Sequence, residues 1–92
     1  MSLIFEWDEE KAAFNLEKHG ISFEEASTVF KDSLSLTIND PVHSFDEQRF
    51  ITIGESVERE IIVVVHTQRG TKIRIISARE ATRRERRDYE KR

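Results

Sequence analysis

The side chains best suited to chemistry in this sequence are cations, one histidine and one tyrosine in its last third. His66 is the best-placed acid or base by its ordinary pKa, Arg79 and Arg83 could neutralise a phosphate, and Tyr89 could stack on a base or donate a proton. RNA can be cleaved by its own 2′-hydroxyl, so a protein needs only to orient the strand, help move a proton and stabilise charge. These four residues form a candidate catalytic set for metal-independent RNA cleavage.

Further cations could bind an RNA backbone around that set. Structural alternatives exist for the two candidates that carry no fixed charge. His66 could be a strand-end histidine satisfied by a backbone group, and Tyr89 could be a residue that packs the last helix on the sheet. The candidate RNA-binding residues are Lys11, His19, Arg69, Lys72 and Arg74.

Charge is distributed unevenly along the chain. The formal net charge is -3, but residues 1–71 carry a net -8 and residues 72–92 a net +5. A basic segment suits a polyanion, whereas the acidic remainder could face a basic protein or keep the chain soluble. A solvated helix with Glu–Arg pairs is the alternative explanation of the basic end.

Other classes of function find no support in the sequence. There is no cysteine, and His19, His43 and His66 do not have the spacing of metal ligands, so we expect neither a metal nor another cofactor. No glycine-rich phosphate loop is present. The longest apolar run, Ile61–Val65, is too short to span a bilayer. We therefore expect a single cytoplasmic domain over residues 1–92, without membrane contact.

Two helices are predicted near the N-terminus. Asp8 is a good N-cap for a helix over residues 8–19, and Gly20 is a good stop. Ser22 and Glu25 form a capping box that begins a second helix. The expected apolar positions are Ala12, Ala13, Leu16 and His19 in the first helix, and Phe23, Ala26, Val29 and Phe30 in the second.

Strand patterns dominate the middle of the sequence. They occur in "SLSLTI", "RFITIG", "REIIVVVHTQ" and "KIRIIS", and the continuous run Ile61–Val65 predicts a central strand. Ser77 and Glu80 form another capping box, which predicts a last helix from near Ala78. The coarse order is β-α-α-β-β-β-α, which predicts an α+β fold with an antiparallel sheet.

The turn around Gly70 decides which charged residues share a face. A three-residue loop of 68–70 would pair His66 with Lys72, and it would place His66, Lys72 and Arg74 on one face of the sheet. A two-residue loop would place His66 opposite Ile73 instead. We favour the three-residue loop, because a two-residue loop would put Arg69 at positive φ.

Two segments resemble signatures of the BrnT toxin family. "FEWDEEKAAFNLEKHGISFEEA" is similar to that family's N-terminal signature, and "RIISAREATRRERRDYEK" to its C-terminal one. The resemblance spans nearly the whole chain. The shared positions are Phe5, Trp7, Asp8, Lys11, Asn15, Lys18, His19, Gly20, Arg74, Ser77, Ala78, Arg79, Glu85, Arg86 and Tyr89. Glu80 departs from the basic residue expected in many relatives.

The resemblance implies a RelE-like fold and a ribonuclease toxin of a type II toxin–antitoxin module, which blocks translation. It also implies neutralisation by a BrnA-like antitoxin that carries a DNA-binding region, so that DNA is contacted only through the antitoxin.

Two alternatives stay open, a non-catalytic RNA- or ribosome-binding module and a structural subunit whose basic helix docks an acidic partner. We expect the RNA site where the sheet's basic face meets the last helix, with Arg79 at the start of that helix stabilising transition-state charge.

Overall fold

A computed structural model gives the fold of the chain and describes residues 3–43 and 47–91. Within these residues, a five-stranded sheet and three α-helices follow the order β-α-α-β-β-β-β-α. No described helix is long and apolar enough to cross a membrane. The strands are β1 Ile4–Glu6, β2 Leu36–Asn39, β3 Arg49–Glu55, β4 Ile61–Arg69 and β5 Lys72–Glu80, and the helices are α1 Glu9–His19, α2 Phe23–Thr28 and α3 Arg83–Glu90.

The N-terminal helices begin and end where the capping residues predict. The carboxylate of Asp8 accepts hydrogen bonds from the backbone N–H groups of Glu10 and Lys11, at 2.8 and 3.3 Å. Gly20 ends α1 in the left-handed conformation with φ 72°, which costs a glycine little. Ser22 Oγ accepts from the N–H of Glu25 at 3.0 Å and caps α2. These local predictions are confirmed.

The buried stripe of α2 is confirmed, but that of α1 is partly wrong. Phe23, Ala26 and Val29 are buried, and Phe30 packs against them. In α1, Leu16 is exposed and the polar residue Asn15 is buried instead.

The sheet is mixed, so the prediction of a purely antiparallel sheet is wrong. Its strand order is β1-β5-β4-β3-β2, in which β1 pairs with β5 in parallel and all other pairs are antiparallel. The predicted order also undercounted the strands after the helices by one, because all four strand-like segments form strands. The central position of β4 is confirmed. The predicted loop between β2 and β3 includes residues 44–46, which lie outside the described residues.

The last helix begins five residues later than predicted. Residues 77–80 continue β5, where they pair with β4 as far as Glu80 opposite Ile62. The capping box that forms is Thr82 with Glu85, which bond each other's backbone N–H groups. For the last helix, the sequence contains two candidate capping boxes, Ser77 with Glu80 and Thr82 with Glu85. The second one forms, because residues 77–80 pair with the long strand β4. Arg79 is therefore a strand residue and does not begin a helix.

The turn between β4 and β5 matches neither predicted register. Arg69 pairs with Lys72, so the loop is Gly70–Thr71 and its positive φ of 62° falls on Gly70. This register pairs His66 with Ile75, and beyond His66 the pairing shifts by one residue at a β-bulge, so that Val65 lies opposite Ser77. His66 thus lies on the opposite face from Lys72 and Arg74, and their predicted common face is wrong.

The two faces of the sheet differ in what covers them. One face packs on α1 and α2 and holds Ile62, Val64, Ile75 and Ala78 in the core. The other face, which we call the open face, bears Val63, Val65, Ser77 and Arg79 and is crossed by α3 at one end. Since α3 has no buried residue, much of the open face remains accessible.

A buried side-chain amide joins α1 to β5. Asn15 donates to the carbonyl oxygens of Ala78 and Ile21, at 2.8 and 3.0 Å, and its own oxygen accepts from the N–H of Ala78 at 3.1 Å. β1 pairs with β5 only as far as Arg74, so at Ala78 this amide takes the place of a neighbouring strand. Both backbone groups of Ala78 are satisfied in this way.

We predict that Asn15→Ala strongly destabilises the fold. The substitution leaves the N–H and C=O of Ala78 without these partners, and each unsatisfied buried group costs about 1–3 kcal/mol. A loss of roughly 2–4 kcal/mol should lower the thermal midpoint by roughly ten degrees or more. Thermal melting measures this, with Glu17→Ala on the exposed side of α1 as the control. Equal midpoints for the two variants would contradict the assigned role.

Candidate functional site

A cleft of about 400 Å³ opens on the open face of the sheet beside the C-terminal end of α1. Its apolar floor includes Val63 and Val65, and polar side chains surround that floor. We call it the cationic cleft, because it combines a histidine and two arginines with a single carboxylate. Its polar lining residues are His19, Asp40, Arg49, Ser77 and Arg79.

Helical spacing brings the histidine to this cleft. Lys11, Asn15 and His19 are spaced by four residues, so they share one side of α1. Because Asn15 is bonded to Ala78, His19 one turn further on lies beside Ala78 and Arg79. Its side chain is exposed and belongs to the last turn of α1.

Arg79 is held in place by a carboxylate of α3. Its two terminal nitrogens contact the two oxygens of Glu85 at 2.8 and 2.9 Å, and one of them also donates to the carbonyl of Glu80 at 3.2 Å. The hydrogen bond to Glu85 raises the pKa of Arg79, and the same bond lowers the pKa of Glu85 to about 2. The pair stays ionised at neutral pH and fixes the plane of the guanidinium. Of its five N–H donors, two remain for a further ligand.

More cations extend from the cleft towards the β4–β5 turn. Side-chain nitrogens of Lys72 and Arg74 lie 3.9 and 3.0 Å from carboxylate oxygens of Glu6. In the same way, side-chain nitrogens of Arg69 and Arg49 lie 3.4 and 3.9 Å from carboxylate oxygens of Glu47. Together with Arg79 and Glu85, five cations share three carboxylates in these ion pairs. With Asp40 of the cleft counted as a fourth carboxylate, the described residues of this part of the open face still carry one more cation than carboxylates.

His66 is buried on the face that packs on α1 and α2, away from the cationic cleft. It is only 7% exposed, its Nε2 hydrogen-bonds Thr52 Oγ1 at 2.7 Å, and Thr52 bonds Thr37 in turn. The rings of Phe30 and Phe50 contact the imidazole, with centroids 4.8 and 5.8 Å away. Burial lowers the pKa of His66 to about 4, so it stays neutral at physiological pH. The structural alternative was a strand-end histidine satisfied by a backbone group, but His66 lies inside β4 and its partner is the side-chain hydroxyl of Thr52.

The remaining predicted residues lie outside the cationic cleft. Tyr89 donates its hydroxyl proton to the carboxylate of Asp32 and its ring is partly buried beside the sheet, so it anchors α3. Arg83 is exposed in the first turn of α3, and Lys11 is exposed on α1. The structure thus joins His19 and Arg79 and separates them from His66, Arg83 and Tyr89.

Three cleft residues were missed by the sequence reasoning, namely Asp40, Arg49 and Ser77. Arg49 begins β3 opposite Thr67, and Ser77 lies opposite Val65, so only the true strand register brings them together. One local signal was available, the spacing of Lys11, Asn15 and His19 on one side of α1.

A larger cavity of about 550 Å³ lies on the other side of His19, and its lining is acidic. Its carboxylates would repel phosphate, so size alone does not identify an RNA site. Among residues 3–43 and 47–91, no cluster of three or more His, Asp or Glu side chains is arranged to hold a metal ion. The five glutamates of the acidic cavity are Glu24, Glu25, Glu58, Glu60 and Glu80.

A cleft lined by an exposed histidine and two arginines, on a small mixed α+β fold, offers side chains that suit an anionic ligand. The chain belongs to the family described as "Ribonuclease toxin, BrnT, of type II toxin-antitoxin system", whose profile matches residues 7–85. The family resemblance seen in the sequence is thereby confirmed, and an antitoxin protein is the partner that a toxin of this type implies.

A solved structure supports the same family. The chain is similar to the ribonuclease toxin BrnT of Brucella abortus, with 26% identity and a TM-score of 0.65 over 89% of this chain and all of that one. No curated protein sequence matches the chain. The RelE-like description of the fold stays a prediction.

We predict that His66 makes stability fall in mild acid. Its pKa in the folded chain, about 4, lies below its ordinary value of 6.5. The neutral imidazole therefore contributes fully to the free energy of unfolding above pH 6.5, and this contribution is lost as pH falls towards 4. From pH 7 to pH 5 the loss is roughly 2 kcal/mol. Urea unfolding at both pH values should show this for the wild type and a smaller change for His66→Gln, which does not titrate. The same pH dependence in both proteins would contradict the assignment.

Proposed function

We propose that this chain is an endoribonuclease toxin that cleaves RNA in the cationic cleft, without a metal ion, and so inhibits translation in the cytoplasm. The observation that carries the proposal is the convergence of an exposed histidine, His19, with Arg49 and Arg79 on the open face. We further propose that a BrnA-like antitoxin neutralises the toxin and that DNA is contacted only through the DNA-binding region of that antitoxin.

The proposed reaction uses the 2′-hydroxyl of the RNA as the nucleophile. Its oxygen attacks the adjacent phosphorus while the proton passes to the imidazole of His19. The bond from phosphorus to the 5′-oxygen breaks, and that oxygen takes up a proton from water, which leaves a 2′,3′-cyclic phosphate and a 5′-hydroxyl. Histidine is the side chain most often used for such proton transfers, and His19 is the histidine that faces this cleft.

The arginines would stabilise the charge that builds up on the phosphate oxygens. Arg79 has two N–H donors left after it binds Glu85 and the carbonyl of Glu80, and its orientation is already fixed. Glu85 thus acts as a positioning residue for Arg79. Lys72 and Arg74, further along the open face, would bind neighbouring phosphates.

We predict that His19→Gln lowers RNA cleavage by roughly 100-fold or more, because a positioned general acid or base contributes about that factor. His19 is exposed, so the variant should melt like the wild type. The assay follows labelled RNA on gels in the presence of EDTA, and Arg84→Ala on the exposed side of α3 is the control. Binding of RNA without cleavage by the wild type would favour the non-catalytic alternative, and unchanged cleavage by His19→Gln would refute the assigned base.

Arg79→Ala is expected to affect both activity and stability. Cleavage should fall by roughly 100–1000-fold, the usual cost of removing one donor to transition-state charge. The midpoint of melting should also fall by roughly a few degrees, since Glu85 loses its partner at a half-exposed pair. Arg79 is thus unlike an exposed helix-start residue, whose removal would leave the fold untouched. Glu85→Gln keeps the cation but loosens its orientation, so it should destabilise α3 to a similar extent and lower cleavage by less than Arg79→Ala does. Full cleavage by a folded Arg79→Ala would place the site elsewhere.

A further inference from the structure

An apolar groove on the open face has no part in the proposed chemistry. It lies between α3 and the strands β2 to β4, and its volume is about 170 Å³. Ile38 in this groove is 59% exposed, an unusual position for a branched apolar side chain in so small a protein. The apolar floor consists of Leu36, Ile38, Ile51, Ile53 and Val63.

The rim of the groove is acidic. Glu85 and Asp88 of α3 line one side, with the ring of Tyr89 between the carboxylates and the strands. Glu85 is already paired with Arg79, whereas Asp88 makes no ion pair with any residue in the described ranges. Within residues 3–43 and 47–91, no cation lines the groove. A ligand that fits here must therefore supply apolar surface and its own positive charge.

The apolar floor and the acidic rim limit which kind of molecule can bind in the groove. RNA is disfavoured, because its phosphates would face carboxylates over an apolar floor. A second copy of the chain is disfavoured as well, because a twofold contact would bring the same uncompensated acidic rim from both sides. A different protein with apolar and basic side chains satisfies both requirements, and a type II toxin has a protein partner in its antitoxin.

The groove adjoins the cationic cleft. Ile51 and Val63 line both of them, and Glu85 links the groove's rim to Arg79. A protein segment seated in the groove would therefore extend over the cleft and exclude RNA from it. β2 is also one of the two edge strands of the sheet. Backbone groups along its outer side are therefore available to a protein segment that lies in the groove.

We propose that this apolar groove is the docking surface of the antitoxin. A segment of the antitoxin places branched apolar side chains on the floor around Ile38 and a Lys or Arg beside Asp88. Docking there covers the neighbouring cleft and stops cleavage. The inhibitory part of the assignment rests on the proposed function, since it takes the cleft as the RNA site.

The test compares two similarly exposed apolar residues, one in the groove and one outside it. Ile38→Glu puts a charge in the groove, whereas Val57→Glu puts one at a site that is 65% exposed and borders the acidic cavity. Binding of the antitoxin encoded beside the toxin gene is measured by calorimetry with the purified proteins. Ile38→Glu should weaken binding at least tenfold, as loss of a central interface residue typically does, and Val57→Glu should leave it unchanged.

Growth provides the second measurement. Alone, Ile38→Glu should arrest growth like the wild type, because Ile38 does not line the cleft, and co-expressed antitoxin should no longer rescue the cells. Asp88→Lys, on the exposed side of a helix, should also weaken binding and serves if Ile38→Glu fails to fold.

Three results would overturn the proposal. In the first, Ile38→Glu and Asp88→Lys both bind the antitoxin as tightly as the wild type does. In the second, Val57→Glu weakens antitoxin binding as much as Ile38→Glu does. In the third, Ile38→Glu slows RNA cleavage while its antitoxin binding is unchanged. If the wild type cleaves no RNA but binds the antitoxin through Ile38, the proposed function fails and the docking surface stands.

Discussion

The arrangement of the cleft depends on one buried amide. Asn15 replaces a neighbouring strand at Ala78, and it thereby fixes the distance between α1 and the second half of β5. His19 is one turn along the same helix, and Arg79 is the next residue along the same strand. The two halves of the cleft are therefore positioned by the same set of hydrogen bonds. A polar residue at this point satisfies backbone groups that an apolar residue would leave unpaired in the core.

Local signals in the sequence predict local structure well in this chain. Asp8, Gly20 and Ser22 cap their helices as expected, because a cap needs only residues close to it in sequence. The pairing of β1 with β5 could not be predicted in this way, since it joins residue 4 to residue 72. No local pattern distinguishes a parallel edge strand from an antiparallel one when the strand has three residues.

The candidate site was harder to predict than the fold, and the reason is the register of one hairpin. Strand side chains alternate between faces, so a shift of one residue exchanges a buried residue for an exposed one. The turn between β4 and β5 sets such a register: it pairs His66 with Ile75, on the face opposite Lys72 and Arg74. The bulge beyond His66 then shifts β5 by one residue and brings Ser77 and Arg79 onto the open face. Lys72 and Arg74 share a face as predicted, whereas Arg79 is a residue of β5 and not the start of the last helix. The histidine of the cleft instead comes from α1, where His19 follows Asn15 by one turn.

The strand order has a consequence for how the chain emerges from the ribosome. β1 and α1 are made first, but their partners in β5 follow some sixty residues later. Contacts between such distant segments form late in folding, because a long loop must close before they can be made. The growing polypeptide therefore holds His19 and Arg79 apart until β5 is available. The cleft can therefore assemble only after β5 has been made. Until then, the ribosome that is making the chain does not meet an assembled cleft.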